Sequence, residues 1–247
     1  MINPALPKGN KLSSIRKSGV NLKALSVLII LIIPTNIYAD NKNMKIKLNP
    51  AQLKEENLAV LLEKRYSCRN FQNKILKIDD IATVIWATCG KKHDSLTQAT
   101  RIIPSAGATY PLELYVVVGE NCVDKLEAGV YHYLIENHSL EFITEGDKRK
   151  ELARACLGQN FIYEAGVSLV ITAKFHRTTN HYGLRGERYV YMEAGHASQN
   201  TYLAVTNLGL ATCEVGAFDD DSVKRLLNLD RDCEPLSVMP IGYAERR

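Results

Sequence analysis

The segment RIIPSAGATYPLELYVVV, from Arg101 to Val118, restricts what this chain can fold into more than any other part of it. An arginine leads through a turn of small residues, Ser105, Ala106, Gly107 and Ala108, bracketed by Pro104 and Pro111, into an almost wholly apolar strand. Proline stiffens the two ends of such a turn, and glycine admits backbone angles that other residues resist. Backbone N–H groups there have almost no side chain in front of them, so the turn can lie flat against a planar ligand. A glycine-containing loop that merely enters a buried strand has the same composition, and at this level both readings stand.

The rest of the pattern supplies partners for that strand. Asn49-Pro50 reads as a cap followed by proline in the first helical turn, with Leu58, Leu61 and Leu62 as one apolar face of a helix ending near Lys64. A second helix is predicted from Asp79 to Gly90, with Ile81, Val84 and Ile85 inward. Val130 to Leu134 and Leu140 to Thr144 flank residues 136–139 as a hairpin would. Asp147 to Leu157 reads as helix and Val167 to Phe175 as strand. The longest helix is predicted from about Glu187 to Leu208, where Ala194, Gly195, Ala197 and Ala204 permit close packing. A short strand from Leu210 to Val215, a capped helix from Asp219 to Leu227 and a strand from Leu236 to Tyr243 complete the order. Strands and helices mix without strict βαβ alternation, which predicts an α+β domain over residues 45–247.

The first 39 residues differ in kind. Lys8, Lys11, Arg16, Lys17 and Lys23 precede the apolar run Ala24 to Ile33, and Ile37-Tyr38-Ala39 follows. That order predicts a secretory signal, cleavage after Ala39 and an exported, periplasmic product; an uncleaved leader would instead anchor the chain to a membrane. Met44 as the true start would place the protein in the cytoplasm. The leader carries five of the 31 basic residues and none of the 27 acidic ones, so the remainder is close to neutral. Without a basic stripe interleaved with aromatics, nucleic acid is not an expected partner. Six cysteines lack any C-x-x-C pair, which argues against zinc and leaves no disulfide assigned.

Three constellations carry chemistry. Arg65, Ser67 and Arg69 put two guanidiniums around a hydroxyl, a set that can fork a phosphate, although basic groups at a helix C-terminus also complement its dipole. Gly209 to Asp219 passes from a strand end through Val215, Gly216 and Ala217 to a helix start, where free backbone donors gather, as they also do in an ordinary connection. The third is His181-Tyr182-Gly183 followed by Glu193, His196 and Asn200 on one helical face, read as a polar seam rather than a metal site.

Taken in order, these pieces resemble the FMN-dependent nitroreductase family, and in particular its SagB-type branch of stand-alone oxidoreductases and azoline dehydrogenases. The resemblance runs from about Leu53 to Gly242. It rests on R-x-S-x-R at Arg65, the turn from Pro104 to Glu113, Tyr182-Gly183, E-A-G-H-A-x-Q-N from Glu193 and G-A-F-D-D from Gly216. It implies a mixed, largely antiparallel central sheet flanked by helices, and a homodimer with its sites across the interface. Arg65, Ser67 and Arg69 would hold the FMN phosphate and ribityl chain; Ser105, Ala106, Gly107 and Ala108 would touch the flavin from the other subunit. Backbone groups of Val215, Gly216 and Ala217 would face its N5 edge, and Arg246 or Arg247 would add a phosphate contact. His181 and Tyr182 occupy the place of the Lys-Tyr pair that handles protons in azoline dehydrogenases. The implied activity is hydride transfer between a donor such as NAD(P)H and a small organic acceptor. An azoline dehydrogenase acting on a peptide and a flavin-binding protein without turnover are the alternatives.

Overall fold

The computed structural model describes residues 44–92 and 100–245. Its centre is the strand after the small-residue turn, β2 (Leu112–Val118), which pairs antiparallel with β3 (Gly129–Leu134) on one side and with β5 (Val167–Ala173) on the other. With β1 (Lys45–Lys47), β4 (Ser139–Glu145), β6 (Ala211–Thr212) and β7 (Glu234–Gly242) the sheet has seven strands in the order β1-β4-β3-β2-β5-β7-β6. Every pairing of neighbouring strands is antiparallel. Parallel contact is confined to single bridges, Ser67 with Thr212 and Leu76 with Val123.

Alternate residues of a strand face opposite sides of the sheet, and β2 is apolar on both. Leu112, Leu114, Val116 and Val118 meet α2 (Ile78–Cys89) and α6 (Arg185–Leu208), through Ile81, Val84, Ile85, Val190 and Ala197 among others. Tyr115 and Val117 meet the other layer, where Leu152 of α3 (Arg149–Ala155), Ile162 of α4 (Phe161–Glu164), and Val223 and Leu227 of α7 (Asp220–Leu227) are buried. Each fully buried aliphatic side chain contributes about 1.5–3 kcal/mol, so the helices need no strong intrinsic propensity to stay in place. Central helices close on one face and shorter ones on the other are the α+β arrangement expected. On α6 the small residues Ala194, Ala197 and Ala204 are buried as predicted, whereas Gly195 is on the exposed side.

The helix predicted from Asn49-Pro50 begins later. The α1 helix is Leu58–Lys64, capped by Asn57, whose side chain accepts the Ala59 N–H at 2.8 Å. Residues before it dock on other helices instead: the Gln52 N–H goes to Thr83 Oγ1, and Lys54 exchanges two hydrogen bonds with the side chain of Asn207. These tertiary bonds satisfy the backbone groups that a longer helix would have used. Asn49 itself donates to Asp79. The predicted apolar face is also looser than expected, with Leu58 and Leu62 exposed. The strand expected from Leu210 to Val215 narrows to β6 and a bridge at Val215, because the intervening Glu214 N–H turns to the hydroxyl of Tyr202. Two short helices are absent from the sequence reading: α4 and α5 (His176–Tyr182). All six cysteines are buried free thiols.

Candidate functional site

Arg65 ends α1, its N–H bonded to the Leu61 carbonyl, and the chain then runs extended past Ser67. There it meets β6: Ser67 bridges Thr212, and the Cys68 N–H donates to the Thr212 carbonyl at 2.9 Å. The Arg65–Arg69 segment and the Gly209–Asp219 connection, remote in sequence, are therefore side by side. Tyr202 of α6 joins them. Its hydroxyl is 3.0 Å from Ser67 Oγ and accepts the Glu214 N–H at 2.7 Å.

The two guanidiniums of this segment lie over aromatic rings, Arg65 at 5.2 Å from the Tyr202 centroid and Arg69 at 5.9 Å from that of Phe161. Among the described residues neither has a carboxylate partner. Lys64 and Arg65 are placed to complement the α1 dipole, but Arg69 is beyond its reach, so the dipole reading accounts for half of the pair. The segment lines a pocket of about 620 Å³ from Tyr66 to Asn70, closed by Ala244 and Glu245. Val215 exchanges both of its backbone bonds with Val238, so it has no polar backbone group to offer a ligand edge. Gly216 and Ala217 remain exposed, with N–H groups that donate to no described residue, and a Cβ at Gly216 would meet open space.

The small-residue turn is strained. Its central residues form a single 3-10 turn, Ala106–Ala108, with φ of +58° at Gly107 and +52° at Ala108, and Tyr110 follows at +46°. For the two non-glycine residues the left-handed region costs of the order of 1 kcal/mol or more each. The cost is met by hydrogen bonds: the Ser105 hydroxyl accepts the Tyr110 N–H at 3.0 Å, and Thr109 bonds both the Ala106 carbonyl and Thr178. Glycine at 107 answers a second demand as well, since a Cβ there would lie 2.6 Å from Tyr182 Oη. Tyr182, at the C-terminal end of α5, thus rests on the turn. The rings of His181 and Tyr189 meet it edge-on at 4.5 and 5.1 Å.

Glu193, buried on α6, connects that turn to the helix. Burial pushes its carboxyl up to about 7, and the Ser105 hydroxyl moderates the rise. The expected seam of Glu193, His196 and Asn200 is only partly formed. His196 is exposed, because three residues at 100° each place it some 60° off the Glu193 direction, at the margin of the buried stripe. Asn200 donates to the Ala87 carbonyl, and the seam is continued instead by Ser198, bonded to Glu214, and by Thr201, bonded to Thr88. Along α6 the Ser105 contact at Glu193 and the Ser67 contact at Tyr202 are about 13 Å apart at 1.5 Å per residue.

Two groups of predicted residues are thus assembled: Arg65, Ser67 and Arg69 with Gly216 and Ala217, and Ser105 to Ala108 with Tyr182 and His181. Arg246, Arg247 and the leader lie outside the described residues. Tyr202 was not anticipated; the helical period places it inside, but nothing local announces that its hydroxyl would join two distant segments. Among the described residues, no cluster of three or more His, Cys, Asp or Glu is spaced to hold a metal ion.

Compared with known proteins, residues 62–243 match the model of the nitroreductase family. A Methanocaldococcus jannaschii protein assigned by name to the nitroreductases is 42% identical over 190 residues, covering 77% of this chain and 92% of that protein. The trifolitoxin-processing protein TfxB of Rhizobium leguminosarum bv. trifolii is 32% identical over 161 residues, covering 61% of this chain and 43% of TfxB. A crystal structure from Anabaena variabilis, also named as a nitroreductase, superposes with a TM-score of 0.72 at 28% identity, covering 82% of this chain and 42% of that one. The chain therefore spans less than half the length of these last two.

Proposed function

The chain belongs to the nitroreductase family, and from that premise we propose that it is an FMN-dependent oxidoreductase acting on a small organic acceptor, with a nicotinamide as donor. One observation carries the cofactor assignment: Ser67 and Arg69 line a pocket, Arg65 lies over the Tyr202 ring whose hydroxyl meets Ser67, and among the described residues neither guanidinium has a carboxylate partner. That donor set fits a phosphate monoester, to which arginine presents paired planar donors. Bound FMN would supply the hydride and electron chemistry.

The chain's own residues would do the rest. Arg65, Ser67 and Arg69 would neutralise and orient the phosphate end, with Tyr202 fixing Ser67. The Gly216 and Ala217 N–H groups would meet the ring edge, where no side chain intervenes. Ser105 to Ala108 would form a flat wall, and Tyr182, with His181 beside it, would hold the proton needed by an acceptor. The separation of the two groups along α6 is accounted for if one flavin uses the first group from one subunit and the turn from another. A homodimer is favoured further by Leu184, Tyr191 and Met192, exposed together where α6 begins.

Purified protein equilibrated with FMN and passed through gel filtration should retain one flavin per chain and sediment as a dimer, and anaerobic NADH or NADPH should bleach it. Protein that retains no flavin would sink the reading; protein that binds flavin but is reduced by neither nucleotide and oxidised by no acceptor would leave only a binding function. The TfxB similarity favours, as the second reading, a dehydrogenase acting on a peptide, which would then give hydride to the flavin rather than receive it. Export is likewise our proposal, resting on the leader's composition. Mass spectrometry of native protein should find a start near Asp40, whereas a start at Met44 would overturn it.

A further inference from the structure

Besides the Thr178 hydroxyl that meets Thr109, the α5 helix is fastened to the end of the strained turn by one charged side chain at two points. Arg177 donates through Nη1 to the Tyr110 carbonyl at 3.0 Å and through Nη2 to Glu113 at 2.6 Å. Tyr110 is the residue at which the turn ends with positive φ, and its N–H is already taken by Ser105. Arg177 therefore fixes the other half of a strained residue. Glu113 is itself anchored: its second oxygen is 2.9 Å from His132 Nε2, and that imidazole stacks on Tyr115 at 4.7 Å. Burial pushes the Glu113 carboxyl up, but His132 and Arg177 together hold it below the usual carboxylate range. The acceptor of the clamp is thus a fixed anion.

At the far end of the same short helix is Tyr182, against Gly107. A seven-residue helix is too short to hold a position by its own hydrogen bonds. We propose that Arg177 is a positioning residue, which clamps α5 to the Tyr110–Glu113 end of the turn and so sets Tyr182 on Gly107 in register for proton transfer to the acceptor. The inference rests on the flavin reading above for its chemistry, but the clamp can be read without flavin. Lysine cannot replace this arginine fully, since one ammonium lacks the planar fork that serves carbonyl and carboxylate together.

The test is a double-mutant cycle with Tyr182→Phe, following oxidation of the reduced enzyme by a nitroaromatic probe, para-nitrobenzoate. Arg177→Met should slow that step about tenfold or more when Tyr182 is present and less than about twofold when it is phenylalanine. Arg177→Lys should fall between wild type and Arg177→Met. Equal losses in both backgrounds, or a silent Tyr182→Phe, would overturn the proposal. In flavin-free protein, tetranitromethane nitration mapped by mass spectrometry gives the second readout, with exposed Tyr66 as the internal reference. Tyr182 is half-buried against Gly107, so releasing the clamp should raise its nitration relative to Tyr66 by about twofold or more in Arg177→Met. An unchanged ratio would overturn the clamp. If Arg177→Met does not fold, Arg177→Lys carries both measurements. Wild-type protein that takes up no flavin would sink the proposed function, and the nitration ratio would then decide the clamp alone.

Discussion

Removing both guanidiniums, Arg65→Ala with Arg69→Ala, should weaken FMN binding at least about a hundredfold, because each charge-assisted hydrogen bond to a phosphate contributes about 1.5–3 kcal/mol. Neither group is held by a carboxylate among the described residues, so no internal ion pair is broken and the loss falls on the ligand. Arg65→Ala removes a charge near the α1 C-terminus as well, a separate cost of about 0.3–1 kcal/mol to the helix. Stability measured without flavin isolates that part. The single variants should each lose about tenfold or more, and the lysine variants less, since they retain charge without the fork. A double variant whose flavin affinity, titrated at fixed ionic strength, stays within threefold of wild type would remove the phosphate from this segment.

Glu193→Gln should change how stability depends on pH. The carboxyl titrates at about 7 in the folded protein, against about 4.3 for an unfolded chain. Between those values the unfolded chain has released a proton that the folded one retains, so rising pH favours unfolding. Stability associated with Glu193 is full below about pH 4, falls through the window up to about 7 and is level above it. The full span is about 4 kcal/mol, of which about 2.5 kcal/mol, or about 5–10 °C in Tm for a domain of this size, falls between pH 5 and pH 8. Glutamine cannot ionise and can still bond Ser105, so the variant should gain on wild type by that amount between pH 5 and pH 8. Parallel denaturation midpoints across this range would show that Glu193 ionises freely in the folded chain.

Legibility in the sequence followed the reach of the forces involved. The hairpin of β3 and β4, the α2 helix up to Gly90 and the Asp219 cap of α7 were readable because period and capping are local. The α1 boundary was not, because backbone groups of Gln52 and Lys54 are satisfied by Thr83 and Asn207, remote residues that no window contains. The same division runs through the site. Small residues between two prolines announced a special turn, and two arginines around a serine marked a candidate anion site. That Tyr182 would rest on Gly107, that Val215 would have both backbone groups taken by Val238, and that Tyr202 would tie Ser67 to Glu214 depended on how separate segments meet.

The strand order has a consequence for the time at which this protein becomes able to function. The β7 strand, the last of the described elements, is inserted between β5 and β6 rather than added at an edge. It also supplies Val238, which holds Val215 in place, and it leads into Ala244 and Glu245 of the pocket lining. While the ribosome is still making the preceding helices, β6 and the connection after it have no neighbour to pair with, and one side of β5 is open. The hairpin of β3 and β4 can form early from nearby residues, but the pocket cannot. The pocket is therefore completed only once β7 and the residues after it have been made, and a nascent chain stalled before Glu234 would have much of its sheet but an unfinished pocket.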